Sequence, residues 1–415
     1  MKIEKRTKNG NRASVFALIV LAILTLCSPL FCVSTRAEEP DLRDMKVTYS
    51  PPVDSKPAML RWVSKPMAFY QVERSTDLLN WSLVDFACGP SMTVFELKKS
   101  WWQVSPSYNG TKILAATSPG YLYTSSDSGA TWIERVSAGL RLWGFVDSDP
   151  TGTYLVATVN SGYIYTSSDS GVTWVQRSSF GVRGWTGVTI SNGGARLAAV
   201  AQNDYIHTSA DYGATCIERT STGRFNWSSI DSDDSGLKLG ATVNGGSVWV
   251  SHDGGNTLNR VPNPLDGVVN DIDYTHSYSW SSIGISGNGT KFAVADGSGG
   301  PIRKSLDGGI TWTDNGWPAT GFLSLSIDSI GTNMVAIGDH GTRLLISEDF
   351  GLTGNTSSDR TFHWSCVRLS GDGKKIVASD NDNNLYIGTV GEQSLKVYDE
   401  EKAVGRCFYR IHKWE

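Results

Sequence analysis

The chain has 415 residues, of which 40% are hydrophobic and 19% are charged, and its formal net charge is −4 at pH 7. This acidic balance argues against nucleic acid or an anionic membrane surface as a partner. Six cysteines and six histidines occur without Cys-x-x-Cys or His-x-x-x-His spacing, so the sequence predicts no metal site and no cofactor.

Residues 1–37 have the composition of an export signal. Five basic residues between Lys2 and Arg12 precede an uncharged apolar run at 15–26, and Thr35-Arg-Ala37 offers small residues for cleavage. The sequence therefore predicts a secreted, periplasmic or cell-surface protein, with a formal charge of −9 after cleavage. An uncleaved signal anchor is the alternative, because the apolar run up to Val33 could nearly span a bilayer.

The next sixty residues form two segments of different composition. Residues 38–56 are polar and contain several prolines, which predicts a linker. Residues 57–98 contain two strand-like runs, at 60–62 and 69–73, and the second leads into Arg74-Ser-Thr-Asp-Leu-Leu-Asn-Trp81.

Six copies of the motif Ser-x-Asp-x-Gly-x-Thr follow, most of them after an apolar or aromatic strand-like run. Aspartate followed two residues later by glycine is turn chemistry, since the carboxylate accepts backbone N–H groups and glycine adopts positive φ. The pattern predicts a self-satisfied hairpin turn with a structural role rather than a catalytic or metal-binding one. The six aspartates are Asp127, Asp169, Asp211, Asp253, Asp307 and Asp349.

A second signal fixes the period of the repeat. Seven aromatic residues, each followed nine residues later by glycine, are separated by 42, 42, 42, 53, 42 and 42 residues. Repeats of this length without helical periodicity predict a β-propeller, and we expect seven four-stranded blades over residues 99–392, closed into a ring. The seven aromatics are Trp101, Trp143, Trp185, Trp227, Trp280, Phe322 and Trp364.

The repeated turn resembles the Asp box of the sialidase-like (BNR) propellers. The flanking segments resemble a fibronectin type III-like β-sandwich module of secreted bacterial proteins, whose first half would be residues 70–81 and whose end would be Phe408-Tyr-Arg-Ile411. The resemblance implies that the propeller is inserted into a split module made of residues 57–98 and 393–415. Because Cys88 and Cys407 both fall in that module, they are the expected disulfide, and Cys216 and Cys366 are expected to be free thiols.

One face of the expected ring carries the candidate binding rim. Acidic turns crowd the other face, and a long insertion between residues 258 and 280 also lies on the rim side. Three arginines precede successive aromatics, and guanidinium groups in a row suit a carboxylate or another anion. Inter-blade packing of the aromatics and solvation of the arginines are the alternative interpretations. The candidate rim comprises Arg141, Arg183, Arg224, Trp143, Trp185, Trp227 and Trp280.

These features favour an exported, monomeric, non-enzymatic propeller that binds a protein or a glycan. The sialidase resemblance implies a glycoside hydrolase as the alternative, but the arginines come from adjacent blades and the connecting loops are short, so no catalytic residue is assigned. Propellers that assist photosystem II assembly also have seven sialidase-like blades and bind protein, which makes an assembly factor the third candidate.

Overall fold

The computed structural model describes side chains for residues 99–261, 278–314, 317, 320–353 and 363–390, and otherwise only the backbone of the strands named below. Contacts divide the chain into two units, Met1–Ala87 with Gln393–Glu415 and Cys88–Glu392. The predicted disulfide between Cys88 and Cys407, residues 262–277 of the insertion, and most of the predicted leader and linker lie outside the described residues.

Short strands and a few 3₁₀ turns make up the described secondary structure. The first six strands are β1 (Val33–Arg36), β2 (Val47–Ser50), β3 (Met59–Val63), β4 (Phe69–Ser75), β5 (Ser82–Leu83) and β6 (Gly89–Phe95). Blades 1 and 2 contain β7 (Trp101–Pro106), β8 (Ile113–Thr117), β9 (Leu122–Ser125), β10 (Ile133–Arg135), β11 (Trp143–Ser148), β12 (Leu155–Val159), β13 (Ile164–Ser167) and β14 (Val175–Arg177). Blades 3 and 4 contain β15 (Trp185–Ile190), β16 (Leu197–Ala201), β17 (Ile206–Ser209), β18 (Ile217–Arg219), β19 (Trp227–Ser232), β20 (Leu239–Val243), β21 (Val248–Ser251) and β22 (Asn259–Arg260).

The remaining blades follow the same order. Blades 5 and 6 contain β23 (Trp280–Ile285), β24 (Phe292–Asp296), β25 (Arg303–Ser305), β26 (Thr313–Asp314), β27 (Ser324–Ile327), β28 (Met334–Gly338), β29 (Arg343–Ser347) and β30 (Asn355–Thr356). Blade 7 contains β31 (Trp364–Leu369), β32 (Lys375–Asp380) and β33 (Leu385–Lys396), and the last strand is β34 (Phe408–Trp414). The 3₁₀ turns are Val136–Ala138, Ser178–Phe180, Thr220–Thr222 and Asp339–Gly341.

Each of the first six blades is an antiparallel four-stranded sheet whose strands pair in chain order. The second strand of a blade lies in the middle of the packing, and β16, with the sequence Leu-Ala-Ala-Val-Ala, is buried along its whole length. A strand buried on both faces needs a continuous apolar run, and the small alanines let neighbouring sheets approach closely. The predicted all-β, seven-bladed propeller with four-stranded blades is confirmed.

The ring is closed by a strand that precedes blade 1. β6 pairs with β33 of blade 7, and the inner strand β7 of blade 1 packs against β31 and β32. The strand pairing explains why blade 7 has no acidic turn of its own, because β6 takes the place of a fourth strand that would follow β33 in the chain. Residues 57–98 were expected in the flanking module, whereas the structure groups residues from Cys88 onward with the ring.

In the other unit, β4 and β34 are paired. They run antiparallel from Phe69 opposite Trp414 to Ser75 opposite Phe408. β1 lies parallel to β34 on its other side, and β5 pairs with β4. The two sequence segments that resemble the halves of one module are therefore neighbouring strands. In the described part of the chain, no helix has the length and apolar character needed to cross a membrane.

The six repeated motifs form turns, called acidic turns below, with one hydrogen-bond pattern. In blade 1, Ser125 donates to Asp127 at 2.8 Å, and the backbone N–H of Thr131 donates to the same carboxylate at 2.8 Å. Gly129 has a φ of 84°, which disfavours any other residue. Hydrogen bonds from the Thr131 hydroxyl, the Thr131 N–H and Ser125 lower the pKa of Asp127 to about 2. The carboxylates hold these turns closed.

Candidate functional site

The connections between blades lie on the face opposite the acidic turns, called the connection face below. Isolated bridges pair Gly120 with Arg141 and Gly162 with Arg183, so each connection pairs with the preceding blade's turn between its second and third strands. Arg141 and Arg183 stand two residues before the aromatic that begins an inner strand, and Lys99 holds the same position before Trp101. The predicted row of cations therefore begins one blade earlier than the sequence analysis placed it.

Two of these cations stack on an aromatic ring of the third strand. The Lys99 ammonium lies 4.5 Å from the centre of the Tyr123 ring, and the Arg141 guanidinium carbon lies 4.7 Å from that of Tyr165. Both tyrosines precede the serine of an acidic turn by two residues. The stack is thus a recurrent feature of the blade.

Blade 5 contains the same stack with its partners exchanged. There Arg303 occupies the third-strand position and Tyr278 the connection position, with 5.4 Å between the guanidinium carbon and the ring centre. Blade 4 places two rings at these positions, Phe225 and Trp249, 5.8 Å apart. Because the stack persists whichever partner carries the charge, part of the arginine signal is structural. Sequence inspection missed this exchange because its two halves lie 25 residues apart.

Arg183 belongs to a different arrangement. Its Nε donates to Asp204 at 2.7 Å and its Nη2 to Glu218 at 2.5 Å, and it also donates to the carbonyl of Phe180. Buried His207 replaces the tyrosine, with its Nε2 3.4 Å from the Asp204 carboxylate. The predicted rim is corrected here, because two acids neutralise Arg183 and it is not presented to an anion.

The Cys216–His207–Asp204 arrangement has the order of a nucleophilic triad but not its electrostatics. The Cys216 sulfur lies 3.8 Å from His207 Nδ1. Burial raises the pKa of the Cys216 thiol to about 11 and lowers the pKa of His207. A protonated thiol is a poor nucleophile, so these residues are assigned no catalytic role. Cys216 and Cys366 are free thiols, as the sequence predicted.

Arg141 and Arg224 remain as cations without an ion pair. Among the described residues, neither has a carboxylate oxygen within 4.0 Å. Arg224 is exposed and its guanidinium carbon lies 4.9 Å from the Tyr205 ring centre. A hydrogen bond with the Tyr205 hydroxyl raises the pKa of Arg224, which keeps it charged. These two groups can receive an anionic partner.

Apolar side chains flank the two arginines on the connection face. Leu140 is 66% exposed, Leu142 51%, Val182 57% and Phe225 36%. Exposed aliphatic and aromatic groups next to unpaired guanidinium groups are the composition of a protein-binding surface. Trp102, at the start of β7, is 48% exposed and was not singled out in the sequence because Trp101 beside it carries the repeat.

The four tryptophans of the predicted rim are buried and do not form part of a binding surface. Trp143, Trp185, Trp227 and Trp280 are at most 3% exposed. Trp143, for example, packs between Leu122 of blade 1 and neighbouring side chains of blade 2. The alternative interpretation of inter-blade packing is therefore correct for these side chains, because large rings fill the wedge between adjacent sheets.

A second candidate site lies on the ring axis. Inner strands of all seven blades surround a cavity of about 170 Å³ of water-accessible volume. It contains Asp147 of blade 2, Asp231 of blade 4 and Arg368 of blade 7. None of these three residues was predicted as a site residue, although the register of the repeat places them at one level of the inner strands.

The two channel aspartates are enclosed yet retain some accessible surface toward the channel. Asp147 accepts the backbone N–H of Ile190 at 3.0 Å, and Asp231 accepts that of Ile285 at 2.8 Å. Each carboxylate thus joins its own blade to the next. Burial raises the pKa of Asp147, and burial together with the Asp147 charge raises the pKa of Asp231 to about 7.

Seven antiparallel sheets around a polar channel define a seven-bladed β-propeller. No protein-family model matches the chain, and no curated protein matches its sequence.

Among solved structures the chain is similar to YCF48 from Cyanidioschyzon merolae, with 15% identity and a TM-score of 0.54 over 72% of this chain and 98% of that one. It is also similar to YCF48 bound to D1 peptide, with 14% identity and a TM-score of 0.52 over 75% and 98%. At these identities the likeness shows the fold.

Proposed function

We propose that this chain is an exported, non-enzymatic propeller that binds a protein partner through the connection face of blades 2 to 4. The observation that carries the proposal is the pair Arg141 and Arg224. Within the part of the chain that the structure describes, no carboxylate oxygen lies within 4.0 Å of either cation, and exposed Leu140, Leu142 and Phe225 lie beside them. A peptide that offers a carboxylate beside aliphatic side chains complements both parts of this surface. One similar solved structure is of a propeller bound to a peptide, which supports a peptide as the class of partner.

Three finer assignments belong to the same proposal. The acidic turns are Asp boxes of the sialidase-like type, residues 57–87 and 393–415 form a fibronectin type III-like module, and residues 1–37 direct export. A glycan partner fits less well, because the rings expected to stack on sugars are buried. The hydrolase alternative requires three converging arginines, and Arg183 is already paired.

The test is retention of peptides by immobilised full-length protein. The probe is a pool of random hexapeptides with free carboxyl termini, compared with the same pool amidated, with retained peptides identified by mass spectrometry. We expect enrichment of acidic and aliphatic sequences. Affinity measured by fluorescence anisotropy should be about tenfold weaker in Arg141→Gln and in Arg224→Gln, since each loses a charge-assisted hydrogen bond.

Arg343→Gln is the matched control. Arg343 begins β29 on the connection face of blade 6, and its Nε lies 3.3 Å from the Asp339 carboxylate. Its removal should leave peptide binding unchanged. Equal enrichment in the wild type and the double variant Arg141→Gln/Arg224→Gln would contradict the proposal. Turnover of a fluorogenic sialoside that Arg183→Ala abolishes would replace it with the hydrolase.

A further inference from the structure

The channel cavity has a charge arrangement that the connection face does not explain. Residues at one register position of the seven inner strands lie at the same level around the axis. Blades 2, 4 and 7 contribute charged residues there, and four blades contribute hydroxyl groups or glycine. In chain order this ring is Ser105, Asp147, Thr189, Asp231, Gly284, Ser326 and Arg368.

Hydrogen bonds hold the two carboxylates in place and leave them acceptor capacity. Asp147 receives the N–H groups of Ser148 and Ile190 and the hydroxyl of Ser105. Asp231 receives the N–H groups of Ser232 and Ile285. A carboxylate offers about four lone-pair sites, so each group keeps at least one for another donor. No described lysine, arginine or histidine nitrogen lies within 4.0 Å of either.

The cation of the ring lies in another blade. Arg368 uses Nη1 to donate to the Ser324 hydroxyl at 3.1 Å and to the Val367 carbonyl at 2.9 Å. Among the described residues it has no carboxylate within 4.0 Å, although its charge acts on both Asp147 and Asp231 through space. The guanidinium has five N–H donors, so most of them are not used by these two bonds.

Arg368 and the carboxylates of Asp147 and Asp231 thus lie at one level of the same channel without pairing with each other, and Asp233 and Asp234 also line this channel. Opposite charges that are not paired with each other attract a group that bridges them. The cavity of about 170 Å³ has room for several heavy atoms, and its wall continues to the acidic-turn face through Tyr108, Pro150, Asp234 and Ser329. The arrangement is complementary to a small molecule with an amine at one end and a carboxylate at the other.

We propose that the axial channel binds a small amino acid, with its carboxylate on Arg368 and its ammonium group between Asp147 and Asp231. This site is independent of the connection face, since its residues belong to the opposite half of the inner strands. Bound ammonium favours the ionised carboxylates, so affinity should increase as the pH rises from about 6 to about 8. The charges of Asp147 and Arg368 act on Asp231 in this titration, and Asp233 and Asp234 of the same blade are the other carboxylates that line the cavity.

The experiment is calorimetric titration of the full-length protein with amino acids of increasing length. The probes are glycine, β-alanine, 4-aminobutyrate and 6-aminohexanoate, with butylamine and butyrate as single-charge controls. We expect saturable binding of one chain length, at least about tenfold tighter than either control. Arg368→Gln should reduce the affinity about 10- to 100-fold, the loss expected for a bidentate charge-assisted contact.

Two further variants make the result decisive. Asp231→Asn should weaken the amino acid about tenfold, whereas Arg224→Gln on the connection face should leave it unchanged. If Arg368→Gln does not fold, Arg368→Lys keeps the charge, loses the planar fork and should still bind more weakly than the wild type. The proposal is overturned if no probe binds at about 10 mM, if butylamine binds as well as 4-aminobutyrate, or if binding survives loss of the Arg368 fork.

Discussion

Blades 2 and 3 follow the same 42-residue register but distribute their charges differently. On the connection face, Arg141 of blade 2 has no acidic partner among the residues whose side chains are described, whereas Arg183 of blade 3 lies between two carboxylates. In the channel the carboxylate belongs to blade 2 instead, since blade 2 contributes Asp147 and blade 3 contributes the uncharged Thr189. Five aligned differences accompany this change, and they are, blade 2 first, Gly162 and Asp204, Tyr165 and His207, Trp174 and Cys216, Gln176 and Glu218, and Asp147 and Thr189.

The comparison shows how a repeat acquires a binding site without changing its backbone. Both blades keep four strands, the acidic turn and the buried tryptophan that begins the inner strand. Gln176 accepts from Tyr165 at 2.9 Å where Glu218 accepts from Arg183, and Gly162 stands where Asp204 accepts from Arg183. Both carboxylates of blade 3 are thus missing from blade 2, which leaves Arg141 without an acidic partner among the described residues. Binding capacity therefore depends on the residues at these two positions more than on the arginine itself.

The largest expected effect concerns the channel aspartates. Asp231 is blade 4's counterpart of Asp147, and its pKa of about 7 lies above the ordinary 3.8. A carboxyl group with a raised folded pKa holds its proton in the folded state, so the fold loses stability as the pH rises from about 4 to about 7. Asp231→Asn should remove this loss, which corresponds to up to about 4 kcal/mol.

Thermal unfolding of the wild type and Asp231→Asn at pH 4 and pH 8 tests this sign. Asparagine also loses a hydrogen-bond acceptor at both pH values. The informative quantity is therefore the Tm of the variant minus the Tm of the wild type, which should be larger at pH 8 than at pH 4. Glu348→Gln, at an exposed carboxylate of blade 6, is the surface control. A larger relative stability of Asp231→Asn at pH 4 would contradict the assigned direction.

A smaller effect is expected at the centre of the blade 3 network. Asp204→Ala removes the carboxylate that accepts from Arg183 and lies beside buried His207. The free energy of unfolding should fall by about 2 kcal/mol, because a part-buried charged donor loses its partner. Denaturant titration measures the loss. Glu218→Ala removes the more exposed acid of the pair, 44% exposed, and should cost below about 1 kcal/mol. Equal losses in the two variants would show that the two carboxylates are equivalent.

The propeller was accessible from sequence because its signals are local and repeated. An Asp-x-Gly bend closes on its own carboxylate, so the Asp169 motif specifies the same turn wherever it occurs. Constant spacing of Trp143 and its counterparts then fixes the number of blades. The closing strand β6 was not recognised, because its partner β33 lies nearly three hundred residues away and neither carries the motif.

The candidate sites were harder to predict because they depend on contacts between residues distant in sequence. Arg183 and Arg141 have the same position in the repeat, and only the structure shows that Asp204 and Glu218 contact Arg183. Asp147 and Arg368 lie 221 residues apart, and only ring closure brings both to the axis. An aromatic such as Trp185 gives the same repeat signal whether its ring is exposed or buried, so the rim prediction could not separate packing from binding.

The smallest expected effect comes from giving blade 3 the residues of its neighbours. The triple variant Asp204→Gly/His207→Tyr/Cys216→Trp leaves Arg183 and Glu218 in place. Blade 1 already contains this combination, with Lys99 bonded to both Tyr123 and Glu134 beside Trp132. The Arg183 guanidinium should stack on the tyrosine ring introduced at position 207. The tryptophan introduced at position 216 should pack on the sheet, so the blade keeps its packing.

We therefore expect the triple variant to unfold within about 1 kcal/mol of the wild type, a smaller loss than Asp204→Ala alone, because the glycine costs roughly what the restored stack contributes. Denaturant titration of the wild type, the triple variant and Asp204→Ala provides the ranking. A triple variant less stable than Asp204→Ala would show that His207 and Cys216 are required by blade 3's own packing. If the triple variant is instead more stable than Asp204→Ala, the repeat tolerates the side chains of blade 1 as well as those of blade 3. The buried charged groups of blade 3 would then serve to pair Arg183 and would not be required for the fold.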